Sequence, residues 1–188
     1  MNDDDALLAV LTALDGLAIP YMVTGSLASN LYGLPRSTHD ADLVLHADAA
    51  QIAALAKSLP PLLRLDPQMS SETITGTSRF IIGWKDHPFK IELFLLSDDA
   101  HDRERFRRRR QGTMLGRLAW VPSPEDVIIT KLRWSRLGKR TKDIDDVRNV
   151  IAVQSERIDW DYVYHWCDAH GTRELLAEVR RSIPERTG

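Results

Sequence analysis

Cysteine is almost missing from this chain: Cys167 is the single one among 188 residues, which rules out an intramolecular disulfide and any zinc site built from several thiolates. A reducing, cytoplasmic setting fits that scarcity. Long apolar runs are missing too, and nothing approaches the roughly 18–20 residues that a membrane span requires. The N-terminus, MNDDDALLAVL, places Asp3, Asp4 and Asp5 where a secretory leader would carry positive charge, so no leader is expected. An excess of one charge is also lacking, since 25 Lys and Arg stand against 27 Asp and Glu, a net charge of −2. Any nucleic-acid role must therefore rest on local charge. What is present is 43% apolar residues, enough for a substantial core in one domain of ordinary size, alone or with a modest appendage.

Behind the cap-forming Asp3 to Asp5, Leu7, Leu8, Leu11 and Leu14 recur at helical spacing, and Gly16 closes the helix. IPYMVTG reads as a short strand, SLASNLYG as a short helix stopped by Gly33 and Pro35, and DADLVLH as a second strand. DAAQIAALAKS reads as an alanine-rich helix that the Pro60-Pro61 pair ends. SRFIIGW, FKIELFLL and, after a charged stretch, TMLGRLAWV read as strands. From Pro124 onward come helices: SPEDVIITKLRWSRL, KDIDDVRNVIAVQ, WDYVYHWCDAH and TRELLAEVRRS. This order predicts an α/β core over residues 1–122 and a helical region over 123–188, closely packed because no linker separates them.

Two acids open the strand DADLVL. Successive side chains alternate in a strand, so Asp40 and Asp42 share a face, with Cα atoms roughly 6.5 Å apart. Carboxylates at that spacing suit one or two hard cations, and magnesium takes one or two such ligands while substrate phosphates complete its shell. Gly25 and Ser26, where a strand turns into a helix, offer a phosphate cradle or a plain helix cap. Arg36 and Thr38 lie between cradle and acids; Arg36 either grips a phosphate or pairs with an aspartate. Glu92, inside the apolar FKIELFLL, is a third acid for a two-metal site if its strand lies beside DADLVL. Its alternative is a solvent-facing pair with Lys90.

These residues resemble the first motif of nucleotidyltransferases in the DNA polymerase β superfamily, of the AbiEii and MenT toxin type, whose pattern is a GS pair followed by RxTxDxDL. Residues 131–146, KLRWSRLGKRTKDIDD, resemble that family's KxxAxxxRxKxRDxxD motif. Lys131, Asp143 and Asp146 match, Arg140 and Lys142 keep the charge, and Trp134 and Gly138 depart from the pattern. The resemblance implies a polymerase-β-like α/β (α+β) core with a mixed sheet, followed by a C-terminal helical bundle. It implies a magnesium-dependent enzyme, with two ions, that moves a nucleoside monophosphate from an NTP to an acceptor. The acceptor would be RNA, a tRNA end in particular, and the protein a toxin with a cognate antitoxin or a phage-defence factor. The implied catalytic set is Asp40, Asp42, Glu92, Lys131 and Asp146. Gly25, Ser26, Arg36, Thr38 and Lys131 would bind nucleotide, and Asp40, Asp42 and Glu92 metal. Lys131 is otherwise a solvated lysine of an amphipathic helix, and Asp143 and Asp146 otherwise cap the next helix.

Other acceptors remain open, namely an aminoglycoside-like antibiotic or a protein, and so does a nucleotide-binding regulator without turnover. The run DRERFRRRRQG places Arg103, Arg105, Arg107, Arg108, Arg109 and Arg110 within eight positions. It is either an RNA-backbone contact near the cleft or a solvated helix face offset by Asp102 and Glu104. The aromatic residues of WDYVYHWCDAH read as packing, and Cys167 as a small buried hydrophobe.

Overall fold

In the computed structural model, which describes residues 1–71, 75–138 and 141–184, apolar strands gather into one mixed sheet and every long helix packs an apolar stripe against it or against another helix. Helix α1 (Asp3–Gly16) is capped by Asn2 rather than by the expected aspartates. The Asn2 side chain accepts from the Asp5 amide, and Asp5 answers the Asn2 amide, a reciprocal box. Strand β1 (Tyr21–Thr24) runs straight into α2 (Gly25–Tyr32), and β2 (Asp40–Leu45) leads to α3 (Ala49–Ser58), capped by Asp48. The short β3 (Arg64–Leu65) and β4 (Ser70–Ser71) precede β5 (Ser78–Gly83) and β6 (Lys90–Leu95).

The charged stretch takes the helical form its second reading named, and the strand expected after it changes. The helix is α4 (Ala100–Arg107), begun by Asp99, whose carboxylate accepts from the amides of His101 and Asp102. TMLGRLAWV is not one strand but most of a hairpin, β7 (Arg110–Met114) and β8 (Arg117–Val121). Leu115 and Gly116 turn it at φ 51° and 75°. Two successive left-handed residues are what a tight hairpin matching the strand twist needs. The chain ends in α5 (Pro124–Gly138), α6 (Thr141–Gln154), a single 3₁₀ turn, α7 (Trp160–His170) and α8 (Arg173–Arg181). Among the described residues no helix is long and apolar enough to cross a membrane.

The main sheet has the order β1-β2-β6-β5-β3, with β4 also paired to β5; β2 and β6 are parallel and the other pairs antiparallel. Its two faces differ in chemistry because side chains alternate. Tyr21, Val23, Ala41, Leu43, Leu45, Ile91 and Leu93 pack with Leu7, Val10, Leu11 and Leu14 of α1 and with Ile52 and Leu55 of α3. The opposite face places Met22, Val44 and Phe94 against Phe106 of α4 and Trp134 of α5, and it also carries Thr24, Asp40, Asp42, Glu92 and Arg79. A second core joins Val127, Ile128, Leu132, Val147, Val150, Val163, Cys167 and Leu176 of the helical half. Ala28 and Tyr32 of α2 belong to that second core, so α2 ties the sheet to the helices. Residue 122 lies between β8 and α5, and α2 packs with the helical half.

Candidate active site

Where β1 hands over to α2, the backbone bends at Gly25 with φ 63°. A Cβ there would lie 1.9 Å from Oδ2 of Asp42, so only glycine lets the turn sit against that carboxylate. Thr24, at the N-cap, makes no side-chain capping bond, which leaves the first amides of α2 facing the cleft without a competitor from the cap. Thr24, Asp42 and Glu92 are direct partners across β1, β2 and β6. Glu92 is therefore on the same sheet face as Asp40 and Asp42, the adjacency its strand was expected to have.

A cleft of about 610 Å³ opens over this face. Its floor carries Thr24, Gly25, Ser26, Asp40, Asp42, Glu92 and Arg79; α4 contributes Arg105, α5 Lys131, Arg133 and Trp134, and α6 Lys142 and Asp143. Thr38 donates to Oδ1 of Asp40 at 2.7 Å, fixing the first carboxylate. Glu92 does not pair with Lys90. Its Oε2 lies 3.3 Å from Nη1 of Arg79 on β5, whose Nε is held by Ser70 at 3.0 Å.

Arg36, expected either to grip a phosphate or to pair with an aspartate, pairs with Asp146. Its fork is taken by Asp146, at 2.8 and 2.9 Å, and Nη2 also donates to Ser26 Oγ at 2.8 Å. Nε and Nη2 are thereby engaged, while Nη1 makes only a 3.4 Å contact to the Ser37 carbonyl. The Asp146 hydrogen bond raises the Arg36 pKa. Burial pushes Asp146 up, but hydrogen bonds from Arg36 and Lys131 outweigh it and hold the pKa below the usual value. Lys131 Nζ is 2.9 Å from both Asp143 and Asp146 and is buried. Two of its three donors are engaged, leaving one for the cleft it lines. Arg140 lies outside the described residues.

The six arginines of the run differ in their surroundings. Arg105 is buried, bonded to Asp102 at 2.8 Å and to Thr24 at 3.3 Å, and among the six it alone lines the cleft. Arg103 and Arg107 are exposed and pair with Asp98 and Glu104. Arg108 stacks on Tyr162, Arg109 on Phe106, and Arg110 bonds the Tyr32 hydroxyl. An α4 that ends at Arg107 and a strand that begins at Arg110 point these side chains in different directions.

Sequence reasoning missed the corner where α4, α5 and α7 meet. Asp126, fully buried, takes hydrogen bonds from Tyr162 at 2.8 Å and Ser123 at 2.9 Å, with the His101 ring 3.2 Å away. Burial raises Asp126, and the bonds from His101, Tyr162 and Ser123 prevail and lower it. Burial pushes Tyr162 up and His101 down. Burial, and then the Arg133 and His101 charges, bring His170 down to about 4. An isolated histidine with no metal-ligand company carries no local signal of such a partner.

Three carboxylates on adjacent strands beside a glycine turn form an all-oxygen donor set that fits a hard divalent cation. As they stand they are spread apart: among the described residues no three His, Cys, Asp or Glu side chains are grouped to hold an ion. Asp40 is held by Thr38, and Glu92 contacts Arg79.

No protein-family model and no curated protein sequence matches the chain. Solved structures do share its fold. The antibiotic-resistance factor ANT(2'')-Ia superposes with a TM-score of 0.60 at 16% identity, over 95% of this chain and 96% of that one. A candidate nucleotidyltransferase from H. pylori gives 0.56 at 18%, over 96% and 80%. An antigenic nucleotidyltransferase-like protein from Paracoccidioides brasiliensis gives 0.53 at 20%, over 96% and 94%. The chain shares the mixed α/β fold of these proteins, and the mixed sheet followed by helices is the fold class expected from the sequence.

Proposed function

We propose that this protein transfers a nucleoside monophosphate from an NTP to an acceptor hydroxyl and releases pyrophosphate. The observation that carries the reading is the register Thr24–Asp42–Glu92, which sets a glycine-led helix start against three carboxylates in one cleft. The amides at Gly25 and Ser26 bind the terminal phosphates, assisted by the remaining donor of Lys131. Arg36 positions the cradle through Ser26 and Asp146. Asp40 and Asp42 would hold divalent cations, magnesium by the hardness of the donors, with Glu92 completing the set on the acceptor side. Bound there, the cations would supply Lewis-acid charge to the α-phosphate and to the departing pyrophosphate. Glu92 takes the proton of the attacking hydroxyl as its oxygen bonds to the α-phosphorus and the α–β bridging bond breaks.

The sequence resemblance favours RNA, a tRNA end in particular, as acceptor and a toxin role balanced by an antitoxin partner. A second reading, transfer to an aminoglycoside, is favoured by the fold likeness to ANT(2'')-Ia, which has been seen in complex with adenylyl-2''-tobramycin. Incubation with Mg²⁺ and each labelled NTP, in the presence of total RNA or tobramycin, is expected to label one acceptor. Asp42→Ala is expected to lower labelling by at least about a hundredfold while the fold is retained. Labelling that survives the substitution overturns the reading.

A further inference from the structure

Across the sheet the order from the cradle outward is fixed: Gly25 at the end of β1, then the aspartates on β2, Glu92 on β6 and Arg79 on β5. Displacement at phosphorus is in line, so an acceptor attacks from the side opposite the leaving pyrophosphate. With the terminal phosphates at the cradle, that side is the β6–β5 side, where Arg79 lines the cleft. Arg79 contacts Glu92 at 3.3 Å through Nη1, while Ser70 holds Nε at 3.0 Å. About a third of the Arg79 side chain is exposed, and the pair is a single contact rather than a fork. The other two guanidiniums that line the cleft among the described residues are committed differently: Arg105 to Asp102 at 2.8 Å, and Arg133 to both oxygens of Asp99.

We propose that Arg79 is a specificity residue that selects an acceptor bearing an acidic group, exchanging Glu92 for that group when divalent cations load the carboxylate edge. This rests on the nucleotidyl-transfer reading above. Glu92 cannot compensate a metal and Arg79 equally, because charge drawn to a nearby divalent cation is withdrawn from the weaker 3.3 Å pair. Loading therefore leaves a guanidinium, anchored at Nε, with an uncompensated charge on the acceptor side. An acceptor carrying a phosphodiester or carboxylate gains a partner there, and a polycationic one is repelled.

The probes are Mn²⁺ alone, a short oligoribonucleotide with a free 3′-hydroxyl, and tobramycin, applied to the wild type, Arg79→Ala and Arg79→Lys. Removing the competitor for Glu92 should tighten Mn²⁺ binding in Arg79→Ala by about two- to fivefold, the range of a partly exposed ion pair. Mn²⁺ should strengthen oligoribonucleotide binding to the wild type, fail to do so for Arg79→Ala, and do so again in part for Arg79→Lys. Tobramycin should bind the Mn²⁺-loaded wild type more weakly than it binds loaded Arg79→Ala. An unchanged Mn²⁺ affinity in Arg79→Ala, or Mn²⁺-strengthened oligoribonucleotide binding that survives in it, overturns the exchange alone. Wild-type Mn²⁺ affinity in Asp42→Ala overturns the underlying metal site and the exchange with it.

Discussion

Two ion-pair systems flank the same carboxylates, and they are built in opposite ways. On the cradle side Arg36, Lys131, Asp143 and Asp146 form a network in which one acid takes both a guanidinium fork and an ammonium, with every contact at 2.8 or 2.9 Å. On the β5–β6 side Arg79 and Glu92 share one 3.3 Å contact, and Glu92 keeps a fifth of its side chain in solvent. Coulomb energy rises steeply as solvent is excluded, so the first system resists exchange and the second permits it. A nucleotide site needs both properties: a cradle that holds its shape before substrate arrives, and an acid that can change partners.

The largest effect on stability is expected where the closed network is broken. Asp146→Ala leaves Arg36 and Lys131 without their shared counter-charge, and Arg36, in the α2–β2 connection, is 110 positions from α6's Asp146. Removing one member of a buried pair is strongly destabilising, and with Arg36 about a third exposed a loss of about 2–3 kcal/mol is expected. For a chain of this size that lowers the melting midpoint by about 4–12 °C, and Asp146→Asn, which keeps an acceptor, should lose less. A midpoint equal to the wild type in Asp146→Ala would erase the contrast between the two systems.

Acid separates the cradle network from the α4–α7 corner. His101 and His170 have folded pKa values below the ordinary histidine value, His170 at about 4. In that window the unfolded chain binds more protons, so stability falls as pH drops from about 6.5 toward 4. Asp146 is also depressed, but from a carboxylate value, so its contribution is intact above about pH 4 and is lost only as pH falls through its lower folded value. Urea midpoints between pH 7 and 4.5 should fall in the wild type and fall less in His170→Asn. A fall that is the same in both would remove the histidine corner from the account and leave acid sensitivity to the carboxylates.

How much of this was readable beforehand follows from whether the signal was local. Asp40, Asp42 and Glu92 each interrupt an apolar strand, and an acid in such a place is visible without knowing its neighbours. Gly25 was readable as a turn, but its 1.9 Å conflict with Asp42 needed the strand pairing. The partners of Arg36 and Glu92 were not readable, because Asp146 is 110 positions from one and Arg79 is reached only through the β5–β6 register. The hairpin was hidden because Leu115-Gly116 lacks the Asn or Asp that announces such a turn. The arginine run looked uniform because sequence records charge and not burial.

That run gives the smallest expected effect and repeats the contrast on a single helix. Arg105 and Arg107 are two residues apart on α4, yet the first is buried on Asp102 and Thr24 while the second pairs with Glu104 in solvent. An exposed pair three residues apart adds little to a fold, so Arg107→Ala should leave the melting midpoint where it is. RNA labelling should also be unchanged, since Arg107 does not line the cleft that holds Arg79 and Arg105. If labelling falls while the midpoint holds, the outer face of α4 carries part of the acceptor, and the exchangeable side of the site extends beyond the sheet.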